Sequence, residues 1–214
     1  MRTFHPDLVI EVTGACNKAC KGCYAPNVAT GESPEIFFEK RPELFIGIVE
    51  LNRSFHAVGQ ITGVTAIRGG EPTLHPNLPI ILTMVKCRAQ QVVLETHGKW
   101  LLSDVKTDLL TSIKKNNVVV KISFDKMHGT KVSDLKIMTD LLEREDISYW
   151  IAITEETLSE FVQTRGLCSW IKDWNIIYQP KASSEAELMR PMIGTVNVRG
   201  EFKGTLTHKF EAMA

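Results

Sequence analysis

Thr13-Gly14-Ala15-Cys16-Asn17-Lys18-Ala19-Cys20-Lys21-Gly22-Cys23-Tyr24 carries three cysteines directly after the apolar run Leu8-Val9-Ile10-Glu11-Val12. Spaced C-x3-C-x2-C, the thiols reach one region if the loop between them folds back. Thiolates are soft ligands that suit iron–sulfur clusters, zinc or copper. Four cysteines fill the coordination of a cluster, whereas three leave one iron open to another ligand. Zinc asks for a fourth ligand, which His5, Cys87 or Cys168 would supply after folding. Free thiols packing as small hydrophobes are the other alternative.

Outward from this stretch, residues 8–12 are short and β-branched, a first strand feeding straight into the cysteine loop. Ser33-Pro34 is a helix start. Pro42 breaks or restarts that stretch, and Leu44, Ile48 and Leu51 mark one face of a helix reaching about Phe55. Further strands are expected at 63–67, 92–94, 118–123, 149–153 and 176–178. Between them fall helices at 76–89, with Ile80, Ile81, Met84 and Val85 inward, and at 103–115. A third helix, capped by Ser133 or Asp134 and ending near 145, has Leu135, Met138, Leu141 and Leu142 as its apolar stripe. A fourth spans 155–163. Cys87 and Cys168 read as packing thiols. Strands alternating with helices imply a parallel sheet wrapped by helices. Eight such units close a TIM barrel. Six predict an α/β fold, a partial (β/α)6 TIM-like barrel. Beyond it, 195–199 and 202–207 flank Gly200-Glu201 as a C-terminal β-hairpin extension. The expected organisation is a single domain over 1–214, with its core at about 8–190 and the extension at 191–214.

A chain of 214 residues with 43% hydrophobic content can bury one substantial core. Lys+Arg and Asp+Glu are both 25, so the formal charge is zero. That balance excludes general affinity for nucleic-acid phosphates or an anionic membrane. No apolar run reaches the length of a membrane span, and Met1-Arg2-Thr3-Phe4-His5-Pro6 has no signal-peptide apolar region. Five cysteines, three of them tightly spaced, fit a reducing compartment better than a disulfide framework. The expected location is cytoplasmic, and a cluster would be oxygen-sensitive. No repeat, low-complexity tract or second cysteine group is present.

Arg68-Gly69-Gly70-Glu71-Pro72 follows the second expected strand, and Leu94-Glu95-Thr96-His97-Gly98 ends the third. In parallel α/β barrels the loops after strands open on one face, so both share a face with the cysteine loop. Together the three stretches resemble the radical S-adenosylmethionine (SAM) superfamily, whose GGEP motif and ETNG strand ending they are similar to. The resemblance implies the (β/α)6 fold. It implies a 4Fe-4S cluster on Cys16, Cys20 and Cys23, with the amino and carboxylate groups of SAM on the open iron. The backbone of Gly69 and Gly70 and the Glu71 side chain would hold the amino group. Ser123 or Asp125, at the end of strand four, would contact the ribose or carboxylate of SAM, and Thr96 is a further candidate of that kind. The family has an aromatic or large apolar residue before its last cysteine. Gly22 stands there in this chain, so the adenine contact passes to Tyr24. An external one-electron reductant, such as flavodoxin or ferredoxin, would drive cleavage of SAM, and the 5′-deoxyadenosyl radical would abstract hydrogen from a substrate.

Cationic groups stand at several strand ends: Arg68, His97, Lys126, His128 and Lys181. They predict a small anionic metabolite, with Lys126 and then Lys181 as its first contacts and Arg68 facing the carboxylate of SAM. The strand endings Glu95-Thr96-His97-Gly98 and Gln179-Pro180 are similar to carboxydeazaguanine synthases. A glycyl-radical activase or peptide-modifying enzyme is the alternative, since Asp125-Lys126-Met127 loosely resembles the activases and the hairpin would then dock a protein. An alternative of another class is a non-catalytic zinc or Fe–S binding module. No side chain is singled out as acid, base or nucleophile.

Overall fold

The computed structural model describes residues 4–18, 20, 23, 27–28, 34–59, 61–103, 107–125, 128–155, 157–180, 194–197 and 199–203. In chain order the strands are β1 (Leu8–Thr13), β2 (Ala15–Cys16), β3 (Asn27–Val28), β4 (Ile61–Gly69), β5 (Ala89–Thr96), β6 (Val119–Ser123), β7 (Tyr149–Glu155), β8 (Ile176–Pro180), β9 (Gly194–Val196) and β10 (Phe202–Lys203). The helices are α1 (Pro34–Lys40), α2 (Ile48–Val58), α3 (Leu78–Lys86), α4 (Thr107–Lys115), α5 (Val132–Arg144) and α6 (Leu158–Gly166). Two compact units emerge. One comprises Pro6–Leu94 with Met192–Ala214, the other Met1–His5 with Glu95–Pro191.

In the first unit β1 is buried almost throughout, as a strand inside a parallel sheet must be when both its faces are covered. Its one half-buried position, Glu11, lies opposite Arg68 of β4, and the two side chains pair at 3.3 Å. β4 runs parallel to β1 on one side and to β5 on the other. α2 buries Leu51, Ser54 and Phe55, one helical face, and stops at Gly59, whose φ of 78° suits a residue without a Cβ. Leu44 belongs instead to a separate 3-10 turn, Pro42–Leu44, so Pro42 restarts the chain rather than merely breaking it. α3 corrects the expected stripe. Leu78, Ile81, Leu82 and Val85 are buried while Ile80 is 52% exposed, because this helix is apolar nearly all round and its sequence leaves the inward face open to choice.

The expected hairpin is present, and Gly200 (φ 73°) lies in its turn. It does more than extend the chain. β9 runs parallel to β1, with Leu8 opposite Gly194 and Ile10 opposite Val196. The Ser54 hydroxyl of α2 donates to the Gly200 carbonyl. The hairpin therefore continues the sheet past β1 and is tied to a helix of the core.

In the second unit β6, β7 and β8 are parallel in sequential order. Phe161 of α6 meets Tyr178 of β8 at 5.0 Å between ring centroids, which marks the helix-covered face of these strands. By alternation and register, Ile153, Ile151 and Ile122 share that face, while Lys121, Ser123, Trp150 and Thr154 take the other. α6 opens with a capping box between Thr157 and Glu160. Three expected helix starts move in this unit: Lys99–Leu102 forms its own 3-10 turn ahead of α4, α5 begins at Val132 behind Lys131 rather than at Ser133 or Asp134, and α6 begins at Leu158 because β7 runs on to Glu155. Six strands, β1, β4, β5, β6, β7 and β8, thus alternate with helices in an α/β fold, and each pairing described among them is parallel. Among the described residues no helix is long and apolar enough to cross a membrane.

Candidate functional site

β1 delivers the cysteine stretch. The Thr13 hydroxyl accepts the Ala15 amide at 2.9 Å, turning the chain into β2, which pairs with β3 beyond the third cysteine. Cys16 is buried, whereas Cys20 and Cys23 are half-buried, and all three are free thiols. The Cys23 amide donates to the Cys20 carbonyl at 3.1 Å, and the Lys18 amide to the Cys16 sulfur at 3.4 Å. Burial pushes the Cys16 thiol above its ordinary pKa and the Lys18 amide opposes this. Charges on Glu71, Cys20 and Cys23 add to the upward shift, so all three groups lie within electrostatic reach of that sulfur.

The glycine-rich stretch packs on the cysteine strand backbone to backbone. Gly70 donates to the Thr13 carbonyl and Glu71 to the Ala15 carbonyl, both at 2.8 Å. A Cβ at Gly70 would overlap the Ala15 carbonyl oxygen and crowd the Cys16 Cβ at 3.1 Å, so only glycine permits this approach. Glu71 is fully buried and opens a 3-10 turn, Pro72–Leu74. Its Oε1 accepts the amide of Thr73 at 3.1 Å and the hydroxyl at 2.7 Å, which orients the carboxylate. Arg68 keeps a buried Nε that lacks a hydrogen-bond partner, while its Nη2 pairs with Glu11. This unit thus brings together Cys16, Cys20, Cys23, Gly69, Gly70 and Glu71.

These residues fit a cluster. The donors are three free thiols, one of them held by a backbone amide as cluster sulfurs commonly are. Among the described residues no three His, Cys, Asp or Glu side chains gather around a single point.

The other candidates belong to the second unit, at the ends of β5 and β6. Thr96 and His97 are buried and serve their own loop: the Thr96 hydroxyl accepts the Gly98 amide, and His97 Nδ1 accepts the Lys99 amide. Asp125 is buried and takes both the backbone amide and the ring of His128 at 2.8 Å, which makes it a loop organiser. Ser123 is half-buried, and its hydroxyl has no partner among the described residues. Tyr24, Lys126 and Lys181 lie outside the described residues. Cys168 is a packing thiol, bonded to the Thr164 and Arg165 carbonyls, and Cys87 is exposed at the end of α3. A cavity of about 570 Å³ beside Glu143, Tyr149 and Trp174 opens at the starts of β6 and β7, the opposite strand ends from Ser123.

Two features escaped the sequence reading. Lys121 is buried in β6 and pairs with Glu95 at 3.0 Å, its Nζ 4.7 Å from the centre of the Phe4 ring. A lysine inside the apolar run Val118–Ile122 was the available signal. His75, four residues after Glu71, is buried with both ring nitrogens bonded. Nothing local marks it.

Comparison with known proteins bears on this arrangement. Residues 8–141 match the family described as 4Fe-4S single cluster domain. No curated protein matches the chain in sequence. Among solved structures, Streptococcus suis SuiB bound to S-adenosylmethionine aligns with a TM-score of 0.50 at 13% identity, covering 83% of this chain and 47% of that one. Native anSMEcpe with bound AdoMet aligns at 0.53 and 14%, covering 80% and 50%. The same protein with AdoMet and the Cp18Cys peptide aligns at 0.51 and 16%, with the same coverage. The chain spans about half the length of these structures, and the likeness shows a shared fold, the partial (β/α)6 class expected above. The family match covers the cysteine stretch, both motif-bearing strand ends and most of α5, and on these grounds the chain belongs to the 4Fe-4S single cluster domain family.

Proposed function

We propose that this chain is a cytoplasmic radical SAM enzyme. It holds a 4Fe-4S cluster on Cys16, Cys20 and Cys23, binds SAM at the iron these thiolates leave open, and acts on a small metabolite bearing a carboxylate or phosphate. The observation that carries the reading is the packing of Gly70 and Glu71 on the Cys16 strand, which brings a buried carboxylate within electrostatic reach of the Cys16 thiol. When bound, the cluster and SAM supply one-electron cleavage of a sulfonium bond, with the electron from a reductant such as flavodoxin or ferredoxin, and the 5′-deoxyadenosyl radical that abstracts hydrogen.

The residues do the rest. The Lys18 amide stabilises negative charge on the Cys16 sulfur. Glu71, oriented by Thr73, accepts the ammonium of SAM alongside the carbonyls of Gly69 and Gly70. Burial of that carboxylate keeps water from competing for it. Arg68 has a donor left over for the carboxylate of SAM. Of the polar groups at the end of β6, the unpartnered Ser123 hydroxyl is the one suited to SAM. Asp125, engaged by His128, shapes the loop that carries Lys126. Thr96 is proposed for a similar polar contact, Tyr24 for the adenine, and Lys126, Lys181 and His97 for the substrate.

Metal analysis after anaerobic reconstitution tests the reading. About four iron and four sulfide per chain are expected; one zinc without sulfide would make the chain a zinc module instead. A peptide substrate is the second reading, suggested by the peptide in one anSMEcpe structure. Mass analysis of products from small anionic metabolites and from peptides separates the two.

A further inference from the structure

His75 ends the 3-10 turn that Glu71 begins, and its two ring nitrogens face different partners. Nδ1 accepts the Asn77 amide at 3.1 Å. Nε2 lies 2.9 Å from the Ile46 carbonyl oxygen. A nitrogen that accepts an N–H carries no proton itself, so Nδ1 is bare and Nε2 holds the hydrogen donated to Ile46. Only the neutral Nε2–H tautomer satisfies both bonds.

Those bonds close a circuit. The Ile46 amide donates to the Val12 carbonyl at 2.9 Å. Val12 leads into Thr13 and Ala15, whose carbonyls receive the amides of Gly70 and Glu71. From Glu71 the 3-10 turn returns to His75, and His75 returns to Ile46. The Glu71 carboxylate is thereby fixed against the strand that carries Cys16, and His75 is the side chain that completes the loop.

We propose that His75, as a neutral Nε2–H imidazole, is the positioning residue that holds the Glu71 turn on the cysteine strand, and that protonation of this ring weakens SAM binding. The inference rests on the reading of Glu71 given above and adds its regulation by pH. A protonated ring turns Nδ1 into a donor facing the Asn77 donor, and that end of the turn is released. The elements packed on the ring are α1, the segment at 44–46, the 3-10 turn and the start of α3. What meets the ring are the Phe38 and Phe45 side chains, the Ile46 carbonyl and the Asn77 amide. Among the described side chains the titratable groups on those elements, Glu39 and Lys40 on α1, Glu43 before Leu44, and Glu71 on the turn, are not among the causes that shift its pKa. Burial lowers that pKa from 6.5 and the Ile46 carbonyl opposes the change. The sign follows: the ring is neutral and the circuit intact above pH 6.5, and its contribution is lost as pH falls from there through the lowered folded value.

Two measurements decide the proposal. Nitrogen-15 NMR of the imidazole in the intact protein should show the neutral Nε2–H tautomer at neutral pH; an Nδ1–H tautomer or an imidazolium would overturn it. Calorimetry with SAM on the anaerobically reconstituted protein should compare the wild type with His75→Gln, which keeps an N–H toward Ile46 and does not titrate. The variant should bind SAM about three- to tenfold more weakly at about pH 8, and the gap should narrow as the pH is lowered below 6.5 to the point where the nitrogen-15 spectrum shows the imidazolium. Equal affinity at the higher pH, or a gap that stays constant, would overturn the role of His75. Glu71→Ala run in parallel separates the failures. If that variant binds SAM like the wild type, the reading of Glu71 falls; if only the His75 comparison fails, this inference falls alone.

Discussion

Cys16 is the most constrained of the three cysteines, buried between the β1 turn and Gly70, with a backbone amide on its sulfur. Replacing any one of Cys16, Cys20 or Cys23 by alanine should remove most of the cluster iron, because the proposed site has three thiolates and two would not hold the cluster. Cys87→Ala should leave iron content unchanged, since that exposed thiol lies at a helix end; iron lost as readily from Cys87→Ala as from Cys20→Ala would refute the three-cysteine site. Glu71→Ala should keep the cluster and lower SAM affinity about ten- to a hundredfold, the worth of a charge-assisted hydrogen bond. Calorimetry on the reconstituted variant reads that loss directly. The cysteines and Glu71 were legible in the sequence because spacing and a glycine pair mark them. His75 was not, because its partner Ile46 lies 29 positions away and a lone histidine before proline has no local pattern. The Lys121–Glu95 pair, 26 positions apart, was hidden for the same reason.

At the scale of elements, Gly98 shows how a motif residue can act through packing. It sits at φ 79°, and a Cβ there would come within 2.8 Å of the Met138 sulfur and 3.1 Å of Ile122. Gly98→Ala should therefore cost about 1–3 kcal/mol by strain and overpacking, read as a lowered Tm. An unchanged Tm would mean that the loop and α5 yield freely. The six strands that alternate with helices were legible as elements because β-branched runs recur between turn residues, and only their ends moved; the two-residue strands β2 and β3 of the cysteine stretch were not expected. Helix faces were less so. The stripe of α3 was misplaced because Leu78, Ile80, Ile81 and Leu82 offer more than one apolar face, and the sheet beneath selects among them.

For the whole chain, alternation of strands and helices foretold the α/β class, and the hairpin was foreseen from its glycine turn. Its parallel pairing with β1 was not, because that contact joins the two ends of the sequence and no local pattern encodes it. Removing residues 194–214 would strip β9 from β1 and the Gly200 carbonyl from Ser54. The truncated chain should melt roughly 5–10 °C lower, and an equal Tm would show the hairpin to be an ornament of the fold. The central claim, that three thiolates and the buried Glu71 turn form one site for SAM, is tested most directly by 5′-deoxyadenosine released when anaerobically reconstituted protein is reduced with SAM present. The account predicts release by the wild type and none by Cys20→Ala. A wild type that holds its full complement of iron and sulfide yet releases no 5′-deoxyadenosine would contradict it.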